Sequence, residues 1–214
     1  MKHVLILSAL LATTAAAYAA DPPAPAKPPM VLPHGESDVT KAIAGTYTLD
    51  PRHVSVIAYV SHMGFSLSAF RFEKVSGTLQ WDPNAIAKST LTATVETASI
   101  SSNVPGFATE LAGEKYLNSG KFPEATFVST AFHQTDATHG KVEGTFTLKG
   151  KSAPMTFDVT LVGAGPGFAG GPVMGHVIGI HAEGMLDPQA YDMGPFFKMP
   201  IKLVIDTEFD HKPS

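Results

Sequence analysis

From residue 45 onward, apolar and polar side chains alternate with a period of two. Val54, Val56, Ala58, Val60 and His62 share one parity, and Ser55, Ile57, Tyr59 and Ser61 the other, the pattern of a strand with two distinct faces. Val75, Gly77, Leu79 and Trp81 continue the theme and stop at Asp82-Pro83-Asn84, a turn sequence. Further alternating runs are Leu91–Ala93–Val95, Ala125–Phe127–Ser129, Val142–Gly144–Phe146–Leu148 and Met155–Phe157–Val159–Leu161, followed by 175–186 and 201–209. Lys149-Gly150-Lys151-Ser152 reads as the hairpin turn between two of them. About eight short strands with one apolar parity predict an all-β fold, an antiparallel sandwich or closed barrel.

Two intervals break this period. In 103–120, Phe107, Leu111 and Leu117 recur at helical spacing with Glu110, Glu114 and Lys115 between them, which predicts a helical excursion over 107–117. Residues 164–171 are rich in glycine and read as a loop.

The N-terminal 44 residues follow other rules. A short basic start (Lys2, His3), an apolar run over 4–17 and Ala17-Tyr18-Ala19 predict a signal peptide over 1–19, cleaved near Ala19, and hence a periplasmic or secreted protein. The apolar run falls short of the ~20 residues a membrane-spanning helix needs. Asp21 to Pro33 is proline-dense, so residues 20–44 are expected to form a linker and N-terminal arm ahead of a domain over 45–214.

Composition narrows the function classes. The chain has 214 residues, no cysteine and a formal net charge of −4. Disulfides and thiolate chemistry are excluded, and the scattered basic residues give no stripe for a phosphate backbone, so nucleic acid is not an expected partner. Only 16% of residues are charged, against ~25% in typical domains, which favours a large apolar interior. No G-x-S-x-G elbow, HExxH or i, i+4 histidine pair is present. His53, His133, His139, His176 and His181 are scattered, and His176 and His181 have opposite parity in one run. The expectation is therefore a non-enzyme without a catalytic cofactor or metal site.

An eight-stranded barrel is either filled by side chains or holds one small ligand. The inward set mixes large residues (Trp81, Phe127, Phe146, Phe157) with small ones (Ala58, Gly77, Ala93, Ser129, Gly144). Small inward residues either open a tunnel or let walls approach closely, so pattern alone leaves both readings open. His62 is likewise either a hydrogen-bonding group for a ligand carbonyl or a core histidine paired with a backbone group.

Five segments in order, 47–66 (YTLDPRHVSVIAYVSHMGFS), 70–83 (FRFEKVSGTLQWDP), 92–100 (TATVETASI), 121–130 (KFPEATFVST) and 142–161 (VEGTFTLKGKSAPMTFDVTL), resemble the YceI-like family of exported, lipocalin-like polyisoprenoid-binding proteins. The resemblance spans nearly all of 45–209. It implies an eight-stranded antiparallel barrel with a hydrophobic tunnel, a bound isoprenoid lipid or quinone, and no established catalytic residue. Three positions depart from the family pattern. Phe107 to Leu111 lacks the family's Arg and His, Asp187 to Gly194 lacks the family's Arg, and Phe70 stands where a glycine is expected. These imply a differently shaped tunnel mouth.

On this reading the tunnel is lined by Val56, Ala58, Val60, His62, Phe65, Phe72, Phe127, Phe146, Phe157 and Met193, with Leu111, Tyr116 and Leu117 as a helical lid or wall. The expected role is to carry or sequester the lipid. Delivery of a quinone-like ligand to a membrane redox partner, or less favourably lipid modification, are the alternatives. A transient contact with a membrane or membrane protein is compatible with either of the first two, and the oligomeric state, a dimer included, is left open.

Overall fold

The computed structural model describes residues 32–169, 172 and 174–212; the expected signal peptide and most of the proline-rich linker lie outside them. Ten strands form one antiparallel sheet: β1 (Gly45–His62), β2 (Ser66–Phe72), β3 (Val75–Trp81), β4 (Thr90–Glu96), β5 (Ile100–Ser101), β6 (Glu124–Gln134), β7 (His139–Leu148), β8 (Lys151–Phe168), β9 (Met174–Leu186) and β10 (Ile201–His211). Their order is β10-β9-β8-β7-β6-β4-β3-β1-β2-β5, and β1 also pairs with β10. Eight strands thus close into an antiparallel barrel, so that these eight staves have no free edge along the closed part. The short β5 pairs with β2, and β2 with the far half of β1 (Val56 to His62), so that these two extend the sheet beyond the β1–β3 pairing.

Local chemistry sets several corners. Leu148 pairs with Lys151 across Lys149 and Gly150, both at positive φ (52° and 73°), the mirror-image turn that suits the right-handed twist of a hairpin. Near the start of β1 the register with β10 jumps from Leu49↔Phe209 to Val54↔Thr207. Pro51, which has no amide to give to a ladder, lies inside that bulge. Asp50 closes it by accepting the Arg52 N–H at 2.9 Å and the guanidinium from Nε (3.1 Å) and Nη2 (2.8 Å).

Two expectations are corrected. The helix α1 covers only Phe107–Ala112 and stops at Gly113, whose N–H returns to the Glu110 carbonyl; Tyr116 and Leu117 lie in the turns that follow. Residues 164–168 belong to β8 rather than a loop, because they pair with β9 from Ala164↔Ile178 to Phe168↔Met174; on the other side of Ala164 the N-terminal arm adds a bridge, with Glu36 and Ala164 exchanging backbone hydrogen bonds (3.0 and 2.8 Å), and passes so close that a Cβ on Gly163 would stand 3.1 Å from the Gly35 Cα. Ser66–Phe72 is a strand in its own right.

The core forms two packed groups. One contains Leu117, Phe127, Val142, Phe157, Leu186, Met193 and Leu203; the other contains Tyr47, Leu49, Val54, Leu161, Ile178 and Phe209.

Candidate functional site

Both core groups contribute to the wall of one cavity of about 250 Å³ inside the barrel. Its wall is built from the inward parity of consecutive staves: Val56 and Ala58 on β1, Leu79 and Trp81 on β3, Leu91, Ala93 and Val95 on β4, Val142, Phe146 and Leu148 on β7, Phe157, Val159 and Leu161 on β8, Ile178, Ile180 and Ala182 on β9, and Leu203 and Ile205 on β10. Period-two alternation is what brings these side chains to one face. Leu117 and Met193, at one end of the barrel, and Val39 of the N-terminal arm, at the other, also belong to the wall.

Of the residues expected from sequence, Val56, Ala58, Phe72, Leu117, Phe127, Phe146, Phe157 and Met193 stand on this wall. Five do not. Tyr59 is the last β1 residue paired with β10, opposite Lys202; beyond it the β1–β2 hairpin projects past the closed part of the barrel. Val60 packs against the core at that edge, His62 is exposed, and Phe65 is 86% exposed. Leu111 is buried away from the cavity. Tyr116 is half-buried, its ring edge-on to Phe197 at 5.9 Å.

Two small inward residues turn out to be seats for rings. A Cβ on Gly144 would lie 2.4 Å from the Phe127 ring and 2.5 Å from the Val128 carbonyl; one on Gly184 would lie 2.8 Å from the Phe157 ring. The space is already used by Phe127 and Phe157, and the cavity comes from elsewhere on the wall.

Polar groups on the wall are few and gathered mostly at the end opposite the β1–β2 hairpin. His133, Gln134, Asp136, Thr138, His139 and Lys141 form the β6–β7 turn. Trp81, near that end, carries a buried indole N–H with no hydrogen-bond partner among the described residues. The carboxylate of Asp136 accepts the backbone N–H of Thr138 and of His139, both at 2.8 Å, and these bonds hold its pKa down at about 2. Asp136 and Thr138 both meet His139 at the same ring nitrogen, Nδ1 (2.9 and 3.1 Å). A relay that activates a hydroxyl needs both ring nitrogens, one for the acid and one for the nucleophile, so this group is a turn cap.

A second polar cluster lies on the outside. Asp50, His53 and Glu208 have ligand atoms within 4.8 Å of one another. Both Asp50 oxygens are already engaged by Arg52 and His53 (2.9 Å to His53 Nδ1). The Arg52 guanidinium thus pairs with the buried Asp50 carboxylate.

An antiparallel barrel of eight strands around an apolar interior defines the class, barrels able to hold one small ligand. The chain belongs to the YceI-like domain family, whose model matches residues 47–209. A UPF0312 protein of Vibrio parahaemolyticus is 35% identical over 152 residues, covering 69% of this chain and 76% of its own. Protein YceI of Escherichia coli O157:H7 is 29% identical over 173 residues, covering 78% and 87%. Among solved structures, BcnA of Burkholderia cenocepacia superposes with a TM-score of 0.65 at 21% identity over 75% of this chain and 98% of that one. A polyisoprenoid binding domain from Saccharophagus degradans, implicated in plant cell wall breakdown, superposes with a TM-score of 0.54 at 11% identity over 78% and 98%.

Proposed function

We propose that this protein is an exported binding protein that holds the chain of a long apolar lipid, a polyisoprenoid or isoprenoid quinone, inside the barrel, and that it acts by carrying or sequestering the lipid rather than by turnover. The observation that carries this reading is the wall itself: apolar side chains from all eight staves face one cavity, and polar groups collect mostly at one end. The polyisoprenoid binding described for the Saccharophagus domain of the same fold supports the ligand class.

The energetics fit a lipid tail. Each buried CH₂ contributes ~0.8 kcal/mol, so a five-carbon isoprene unit supplies roughly 3–4 kcal/mol without any hydrogen bond, and the excess over ordering costs appears as affinity. A cavity of about 250 Å³, just below the ~300–1,000 Å³ range of ligand pockets, favours one slender chain over a bulky ligand. The unpartnered Trp81 N–H and the β6–β7 turn mark the end suited to a polar head with an acceptor oxygen.

The test is organic extraction of the protein purified from cells that make isoprenoids, followed by mass analysis. One isoprenoid per protein is the expected result. An extract without lipid, together with failure of the delipidated protein to take up a quinone, would overturn the proposal.

A further inference from the structure

The end of the barrel that projects past the β1–β10 pairing is unlike the rest of the surface. Its three largest exposed apolar side chains, Phe65 (86% exposed), Phe196 (82%) and Met63 (76%), are also the largest such exposures among the described residues, and Leu67 (65%) and Met199 (61%) stand beside them. They lie on separate segments that the fold brings together. Met63 and Phe65 form the tip of the β1–β2 hairpin, where the Phe65 N–H donates to the His62 carbonyl at 3.0 Å. Phe196 and Met199 lie just ahead of β10, whose Lys202 pairs with Tyr59 of the same hairpin. Between these stands the α1 segment: Phe107 meets Phe70 of β2 edge-on at 5.9 Å, and Tyr116 meets Phe197 at 5.9 Å.

We infer that this end docks on a lipid bilayer, with Met63, Phe65, Phe196 and Met199 entering the interfacial region. Contiguous exposed apolar groups of this size mark an interaction surface, and three observations select a bilayer as its occupant. The apolar groups stand on loop tips rather than on one flat face, and a compliant medium accepts such points without a complementary surface. The tip segments 61–67, 102–107 and 194–200 contain no Asp or Glu, although the chain as a whole is acidic; their one formal cation is Lys198, whose stem can lie along apolar surface while its amine reaches head groups, and of the exposed acids on the intervening stretch Glu110 is paired with Lys115, leaving Glu114 at the rim. The sides of the barrel carry exposed ion pairs, Lys141 with Asp158 and Lys202 with Glu183, so contact is made end-on. Met63 also holds a left-handed φ of 52°, a conformation that favours Gly or Asn, yet the tip presents a long apolar side chain there.

This docking is independent of what the cavity holds and is tested with the purified protein and vesicles. The protein is expected to co-sediment with phosphatidylcholine vesicles, with little loss in high salt, because insertion rather than charge drives the contact. The variant Met63→Ser, Phe65→Ser, Phe196→Ser and Met199→Ser together, at sites where the side chains support no core, should keep the wild-type circular dichroism and lose binding by about tenfold or more. Phe168→Ser with Met174→Ser, at the opposite end, should bind as wild type. A Phe65→Trp reporter should shift its emission to the blue on vesicles and be quenched by brominated lipid. The inference is overturned if the wild type does not bind, if the fourfold variant binds equally, or if the reporter stays in water. A dimer in solution that the fourfold variant dissolves, without vesicle binding, would assign the surface to a second copy instead.

Discussion

The rings of Phe127 and Phe157 meet edge to face with centroids 5.2 Å apart, and Gly144, on the strand between them, supplies the floor under Phe127. A methyl group at position 144 would stand 2.4 Å from the Phe127 ring and 2.5 Å from the Val128 carbonyl. Gly144→Ala is therefore expected to destabilise the barrel by about 1–3 kcal/mol, the range for overpacked cores. Combining it with Phe127→Leu should recover only part of the loss, since the carbonyl cannot move out of the ladder. Urea unfolding of the single and double variants measures this; a Gly144→Ala protein as stable as wild type would show that the wall yields freely there.

Ala58 stands on the cavity wall opposite bulky neighbours and has no large side chain of its own. Ala58→Trp should fill part of the cavity and lower the bound lipid by about tenfold or more, at an overpacking cost of about 1–3 kcal/mol. The measurement is lipid recovered per folded protein after extraction. Undiminished lipid in a folded Ala58→Trp protein would place the ligand outside this cavity.

Trp81 tests the polar end. Its indole N–H is buried without a partner, and leaving a buried donor unsatisfied costs ~1–3 kcal/mol. A quinone carbonyl that accepts this bond removes that cost, whereas a pure hydrocarbon such as squalene does not. Trp81→Phe should therefore weaken a quinone by about tenfold and leave squalene affinity within a factor of about two. Competition of the two lipids for each variant reads the ratio directly; an equal loss for both would mean that Trp81 only packs.

The barrel was legible because alternation reports which face a side chain takes, and inward residues such as Val56, Phe157 and Met155 follow it. Alternation does not report where a barrel stops. His62 has the inward parity of β1, but the wall opposite it ends at the Tyr59↔Lys202 pair, so the same parity places it in the open. β2 shows no clean apolar parity in SLSAFRF, as expected of a hairpin that leaves the closed wall. The glycine-rich end of β8 has loop composition, and what makes it a strand, its pairing with β9 from Ala164↔Ile178 to Phe168↔Met174, is not written in its own residues. Much of the wall, including Ile178, Ile180, Leu203 and Ile205, was present in the sequence as ordinary strand pattern. A cavity and a filled core share that pattern and differ only in how side-chain volumes sum.

Asp50 and Asp210 sit in one electrostatic neighbourhood and titrate in opposite senses. Hydrogen bonds from the Arg52 guanidinium hold the Asp50 carboxyl well below its ordinary range; this contribution to stability is complete above the unfolded value of ~3.9 and is lost as pH falls through the folded one. Asp210 is raised instead, first by burial and then by the charges of Asp50 and Glu208, and its Oδ1 has no partner among the described residues. A carboxyl with a raised folded pKa binds more protons in the fold than in the unfolded chain, so its ionisation lowers stability as pH rises. Asp210→Asn removes that charge and should raise stability at pH 7 by about 1 kcal/mol. The gain should shrink in acid, where wild-type Asp210 is protonated and equally neutral. Urea midpoints of the two proteins at neutral pH and near the unfolded carboxyl pKa decide the matter: a destabilised Asp210→Asn, or a gain that grows in acid, would mean that the Asp210 carboxylate is held by its neighbours rather than strained by them.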